Sequence, residues 1–285
     1  MIPFRGQQCC TTRSAFPSGE FAVFYDWTSL LQKDEAGQRS QSEVKSFGAA
    51  LDTMGVWYAH RLLTTFIMSK LPEGWPRTPE SAHFFPANWL LGKGWPSFER
   101  AVSALHKQAS ISSWRRIVDT TVSRGYHGSY REAPLHPKSF AAEIALKAFT
   151  NGADCEVVAA LYADTLIEVL SNATHLSFRN CKWTDEEAVK LAAVLPMATR
   201  LKSLSLSPHN SIGKRGLDAI AVAIRSGAVP ALTSIDFGGD PGDVEDPRTL
   251  LRDACVERVG TYTFTELPAH AACAGKLYIR ALLHL

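Results

Sequence analysis

Apolar residues change their rhythm near the middle of the chain. In the first part they come as short continuous runs, "FAVFY" (residues 21–25) and "RLLTTFIM" (61–68). Such runs predict strands buried on both faces, the kind from which parallel sheets are built. Between them Val44, Phe47, Leu51, Met54 and Tyr58 recur at intervals of three and four, one face of an amphipathic helix. "SQSE" (40–43) supplies its start, because serine followed three residues later by glutamate has capping-box spacing. Strand, helix and strand together predict a βαβ unit, right-handed by the rule for parallel crossovers.

From residue 70 to 95 the rhythm stops. Pro72, Pro76, Pro79 and Pro86 alternate with Trp75, Trp89 and Trp95, and a loop this long in a compact domain is usually functional or mobile. Pro96 follows, near the first helical position where a missing N–H costs nothing. The predicted helix carries Phe98, Ala101, Val102 and Leu105 on one face and Glu99 in its first turn.

The second part repeats itself. "ATHLSFRNCKWTDEEAVKLAAVL" (173–195) and "LKSLSLSPHNSIGKRGLDAIAVAI" (201–224) superpose with a 28-residue offset, Leu176 and Phe178 matching Leu204 and Leu206. "LTSIDFGGDPGD" (232–243) begins a third copy, with Ile235 and Phe237 in the same places. Strand alternation puts Leu204 and Leu206 inward and Ser203 and Ser205 outward. Asn210 is placed to satisfy backbone groups in the turn through its amide. Gly213 and Gly216 ease the turn and the close helix approach, and Leu217, Ile220 and Ile224 present one apolar face to the strands. In the first copy Cys181 takes the Asn place and Trp183 the Ile place. Upstream, residues 151–170 predict a helix starting at Asp154 with Val157, Leu161 and Leu166 apolar. It reads as an N-terminal cap, since end repeats must cover an exposed core. Residues 248–260 would form the last helix. "KLYIRALLHL" in the tail is either a capping helix or an unrelated end.

The expected organisation is a disordered leader (1–20), an α/β module (21–122), a Gly/Pro-punctuated linker (123–150), a repeat domain (151–260) and an off-pattern tail or cap (261–285). The fold class is α/β, a small parallel-sheet module followed by a short solenoid.

Two family resemblances sharpen this. The LxxLxLxxN spacing, with "NSIGKRGLDAIAVAI" beside the pattern NxIGxxGxxxLAxxL, resembles ribonuclease-inhibitor-type leucine-rich repeats. The resemblance implies an extended concave sheet used for binding another protein. Its outward residues Ser177, Ser203, Ser205, Ser234 and Asp236, with Arg179 at the first strand's edge, are the expected partner-binding set. That row is small and weakly charged, without the Trp/Tyr/Arg cluster that hot spots favour.

"FYDWTSLLQ", "MGVWYA" and "GWPSFERAV" resemble, in that order, the motifs of fungal heterokaryon-incompatibility (HET) domains, relatives of the Toll/interleukin-receptor (TIR) fold. Asp26, Gln32, Met54, Tyr58 and Glu99 match in type and order. Ser29 stands where the family has Cys, Leu31 where it has Asn, and Phe98 where it has Gln before the Glu. The resemblance implies a flavodoxin-like sheet and gives Glu99 the place of the carboxylate that cleaves nicotinamide from NAD, with Asp26 beside the ligand. NAD would then be a substrate, and no cofactor is expected. A carboxylate partly desolvated by tryptophans suits an oxocarbenium-like transition state. A Glu in any first helical turn also serves the helix dipole, worth about 0.3–1 kcal/mol, and needs no substrate to explain it. The family's earlier strand has no counterpart before residue 21, so the module reads as N-terminally truncated and degenerate.

Composition narrows the partners. The hydrophobic fraction of 46% and charged fraction of 20% are those of a soluble globular protein. A net charge of +2 gives no reason to expect nucleic acid or an acidic membrane surface. No apolar run approaches the roughly 20 residues of a membrane helix, and the start lacks a signal-peptide core. The six cysteines form no CxxC pair, which fits a reduced, cytoplasmic location. The nine histidines show no HExxH, so no metal is expected. GxGxxG, GxxxxGK[ST] and GxSxG are all absent. The expected function is an intracellular protein–protein interaction or signalling scaffold. The alternatives are a TIR-class NAD hydrolase with the repeats as sensor, and a regulator of small GTPases.

Overall fold

The computed structural model describes residues 2–3, 22–23, 30–31, 33–67, 92–107, 117–119, 131–206, 210–237, 253–254, 263–266 and 279–282. Among them the chain is a mixed α/β protein with six α-helices and a five-stranded sheet, three strands parallel at one side and two antiparallel at the other.

Helix α1 (Gln41–Ala59) begins as its sequence predicts. The Glu43 amide donates to Ser40 Oγ (3.3 Å), and the Ser40 amide donates back to Glu43 Oε2 (2.8 Å). Its buried positions are Met54, Gly55 and Ala59, all in the second half, whereas Val44 is exposed. The apolar stripe therefore meets the body of the protein only at its C-terminal end.

The first two predicted strands do not share a sheet. β1 (Ile2–Pro3), inside the expected leader, pairs antiparallel with β2 (Ala22–Val23). β3 (Thr65–Ile67) pairs parallel with β4 (Ile117–Asp119), a strand that three residues amid polar flanks do not announce. The expected βαβ pairing of the first run with the second is replaced by these two separate two-stranded sheets.

The described part of the segment expected as a linker, residues 131–150, contributes to the core. Helix α2 (Gly94–Ser103) and helix α3 (Pro137–Ile144) pack with helix α4 (Asp154–Asn172), which starts at Asp154 as predicted. Phe140 of α3 stacks on Tyr162 of α4 with ring centroids 3.7 Å apart. The Tyr162 hydroxyl donates to the Leu135 carbonyl and accepts from the Leu135 amide, each at 2.9 Å. Burial pushes that hydroxyl well above the ordinary phenol range. The inward face of α4 is Val158, Tyr162, Leu166 and Leu170. Val157, in the predicted stripe, is exposed, one position off this observed face.

The repeats build the sheet. β5 (His175–Ser177), β6 (Ser203–Ser205) and β7 (Ser234–Asp236) run parallel in register, Leu176 beside Leu204 beside Ile235. Helix α5 (Asp185–Val194) follows β5, helix α6 (Lys214–Arg225) follows β6, and the two helices pack against each other. The helix caps Thr184 and Gly213 stand one residue farther apart than the strand partners Ser177 and Ser205. The offset of the strands therefore does not carry through the turn. In the tail, β8 (Thr263–Glu266) and β9 (Ile279–Leu282) form an antiparallel pair, and β9 adds antiparallel to β7. "YIRALL" thus contributes a strand to the sheet, not a capping helix. Of the expected last helix only Asp253 and Ala254 are described; both are helical and Ala254 is buried.

One hydrophobic core runs from Phe98 and Val102 of α2 through Tyr162 of α4 to Leu176, Leu204 and Ile235 of the strands.

Candidate functional site

Strand alternation sends Leu176, Leu204 and Ile235 into the core and leaves their neighbours on the opposite face. That face carries two cross-strand rows. One is His175, Ser203 and Ser234; the other is Ser177, Ser205 and Asp236. Ser177, Ser203 and Ser205 are partly accessible, but Ser234 and Asp236 are buried, so β7 is covered on both faces. The accessible part of the predicted set is therefore its β5–β6 side. Arg179 is half-exposed, and its guanidinium reaches Asp236 Oδ2 at 3.0 Å, closing one end of the face with an ion pair. His175 belongs to the same face, is exposed, and shares a hydrogen bond of 2.9 Å between Nδ1 and Thr174 Oγ1. It was missing from the predicted set, although the alternation that selects Ser177 also selects His175.

The turns beneath this face are held by side chains from neighbouring units. Asn210 Oδ1 accepts from the amides of Cys181 and Trp183 (3.1 Å each), and its Nδ2 donates to the carbonyls of Leu206 (2.6 Å) and Phe178 (2.7 Å). One amide thus serves its own turn and the preceding one. Cys181, in the Asn place of the first copy, is wholly enclosed; its thiol donates to the Arg179 carbonyl (3.4 Å), and burial pushes that thiol up to about 11, which leaves it protonated and unreactive at neutral pH. The residue at the N-cap of helix α6 is Gly213, which has no side chain to cap it. Asp185 Oδ1 from the preceding unit accepts from the amides of Gly213 (2.6 Å) and Gly216 (3.0 Å) in its place. A Cβ on Gly216 would stand 2.8 Å from that oxygen and from the Ala188 Cβ, so the glycine permits both the cap and the close approach of α5.

Glu99 is not a first-turn residue. Helix α2 starts at Gly94, whose amide donates to the Ala148 carbonyl (3.0 Å), and the Ser97 amide already donates to the Lys93 carbonyl (3.2 Å). The helix therefore begins before Pro96, and Glu99 lies in its middle, partly buried. The dipole argument does not apply to it there. Trp95, expected beside a ligand, donates from Nε1 to Asp154 Oδ2 (3.0 Å) and packs edge-on against Phe98. Asp26, Gln32, Trp75 and Trp89 lie outside the described residues. Among the described residues no group of His, Cys, Asp or Glu is arranged to hold a metal ion, and no helix is long and apolar enough to cross a membrane.

A second polar centre went unpredicted. Arg131 is 2% exposed, and its guanidinium donates to the carbonyls of Ala104, Leu105 (2.9 Å) and Ser177 (2.7 Å) while lying 4.4 Å from the Phe178 ring centroid. Its own carbonyl accepts from Trp183 Nε1 at 2.5 Å. Burial lowers its pKa to about 10, still well above neutral pH, so the group remains a cation. No local pattern marks it, because its partners are main-chain atoms distant in sequence. No protein-family model, curated protein or solved structure matches the chain.

Proposed function

We propose that this chain is an intracellular, cytoplasmic scaffold that binds another protein through the β5–β6 side of its sheet face. In this reading residues 151–260 are a short leucine-rich-repeat array of the ribonuclease-inhibitor type. Residues 21–122 are a degenerate TIR/HET-like module without turnover. The observation that carries the reading is the Asn210 amide bridging two successive turns beneath strands in parallel register. It is the use that the repeat pattern assigns to that asparagine. Helices α5 and α6 follow β5 and β6, and the small side chains of Ser177, Ser203 and Ser205 on the opposite face leave room for a partner's backbone to approach closely.

The test is a double substitution, Ser203→Arg with Ser205→Arg, which adds two long cations to the accessible part of the face. Proteins captured by the intact chain should be lost by the double variant, with circular dichroism unchanged. An unchanged set of captured proteins would refute the choice of face. The alternative, NAD hydrolysis through Glu99, requires release of nicotinamide by the purified chain. We expect none, and release that Glu99→Ala abolishes would replace the scaffold reading.

A further inference from the structure

β5 is the terminal strand of the five-stranded sheet, and no strand pairs with its outer side among the described residues. Its ladder to β6 uses the Thr174 carbonyl, which accepts from Ser203 (3.1 Å), and the Phe178 amide, which donates to Ser205 (2.8 Å). In a parallel ladder the residues between those contacts turn their main-chain groups to the other edge. His175 and Ser177 therefore present theirs outward. Both are met by side chains from upstream of the repeats. The Ser177 carbonyl accepts from Arg131 Nη1 at 2.7 Å, and the partly buried ring of His106 faces the His175 backbone.

The other two acceptors of Arg131, the carbonyls of Ala104 and Leu105, are at the C-terminal end of α2. A cation at a helix C-terminus interacts favourably with the helix dipole. A guanidinium offers donors in a fixed fork, which an ammonium cannot reproduce. Arg131 thus ties the end of α2 to the outer side of β5 in one rigid contact. At the opposite flank β7 is closed by β9, also from outside the repeats. Both sides of the three-stranded repeat sheet are covered by segments that do not repeat.

We propose that residues 92–107 and 131–148 form an edge cap, with Arg131 as its lock, that keeps β5 from pairing with a second copy of this chain. An open strand edge is a template for another strand, and the nearest strand of matching pattern at high concentration is β5 of another molecule. The cap does not depend on what binds the sheet face.

The experiment uses the full chain with Arg131→Leu, which keeps much of the volume and removes the fork, and Arg131→Lys, which keeps the charge alone. Hydrogen exchange of the amides at 94–105 and 174–178 is read beside light scattering over a concentration series. In Arg131→Leu exchange at both segments should rise about ten- to a hundredfold, the scale of a lost hydrogen bond to a charged group. Concentration-dependent association should exceed that of the unmodified chain, with Arg131→Lys between the two. Unchanged protection, or unchanged mass at every concentration, overturns the proposal. If Arg131→Leu does not fold, the unmodified chain decides: a single opening event shared by 94–105 and 174–178 supports the lock, and opening of α2 with β5 still protected overturns it.

Discussion

Replacing Asn210 with Ala removes four hydrogen bonds at once and fills none of them. The amides of Cys181 and Trp183 lose their shared acceptor, and the carbonyls of Phe178 and Leu206 lose a donor. All four of those residues are buried. A typical intramolecular hydrogen bond contributes about 0.5–1.5 kcal/mol net, which brackets the loss at about 2–6 kcal/mol. Water entering the partly accessible turn recovers some of it, so we expect ~3 kcal/mol, more than about a hundredfold in the folding constant. The measurement is urea unfolding followed by tryptophan fluorescence, where the midpoint should fall with the slope unchanged. Asn210→Asp is the informative companion. It keeps an acceptor for the two amides but sets a negative charge against two carbonyls, so it should cost at least as much at neutral pH and regain stability as the carboxyl is protonated. A loss below ~1 kcal/mol in Asn210→Ala would refute the claim that this amide holds two units together.

Other contacts give three more outcomes. Gly55→Ala places a Cβ 1.9 Å from Thr165 Oγ1; it should cost about 1–3 kcal/mol as an overpacking substitution, and less on a Thr165→Ala background. Zero coupling in that double-mutant cycle would contradict the close approach of α1 and α4. Asp185→Ala should cost about 1 kcal/mol, the value of a lost N-cap, although Asp185 lies outside the helix it caps, and Asp185→Asn should retain most of it. Equal losses in the two variants by thermal unfolding would count against a capping role. Burial holds the pKa of His106 below its ordinary value of 6.5, opposed by its bond to the His175 backbone and reinforced by the charges of Arg131, Arg61 and His175. As pH falls below 6.5 the unfolded chain takes up a proton that the folded ring resists, so stability falls until the folded ring is itself protonated. His106→Gln should flatten that part of the stability–pH curve, and an unaltered curve would remove His106 as its source.

Legibility followed the range of the interactions. The capping box at Ser40 and Glu43 and the start of α4 at Asp154 were readable because each rests on contacts within a turn of chain. The inward leucines and the turn role of Asn210 were readable because a repeat states the same local solution twice. The start of α2 was misplaced, and Glu99 with it. What begins that helix is a hydrogen bond from Gly94 to Ala148, beyond the reach of a pattern centred on Pro96. Val44 and Val157 fit an apolar stripe by spacing, but each element is covered over only part of its length or face, so both remain exposed.

The sequence by itself determined the units: short strands with alternating faces, the turn asparagine, and helices with one apolar side. Those follow from backbone geometry and side-chain period, which repeat every few residues. Tertiary structure alone decided how the ends of the sheet are closed. Arg131, in a stretch that reads as linker, is buried against the ends of α2 and β5, and the tail supplies β9 instead of a helix. An exposed strand edge is a demand made by main-chain groups, and main-chain groups are the same in every residue. Which side chain answers that demand is settled only when the chain has folded back upon itself.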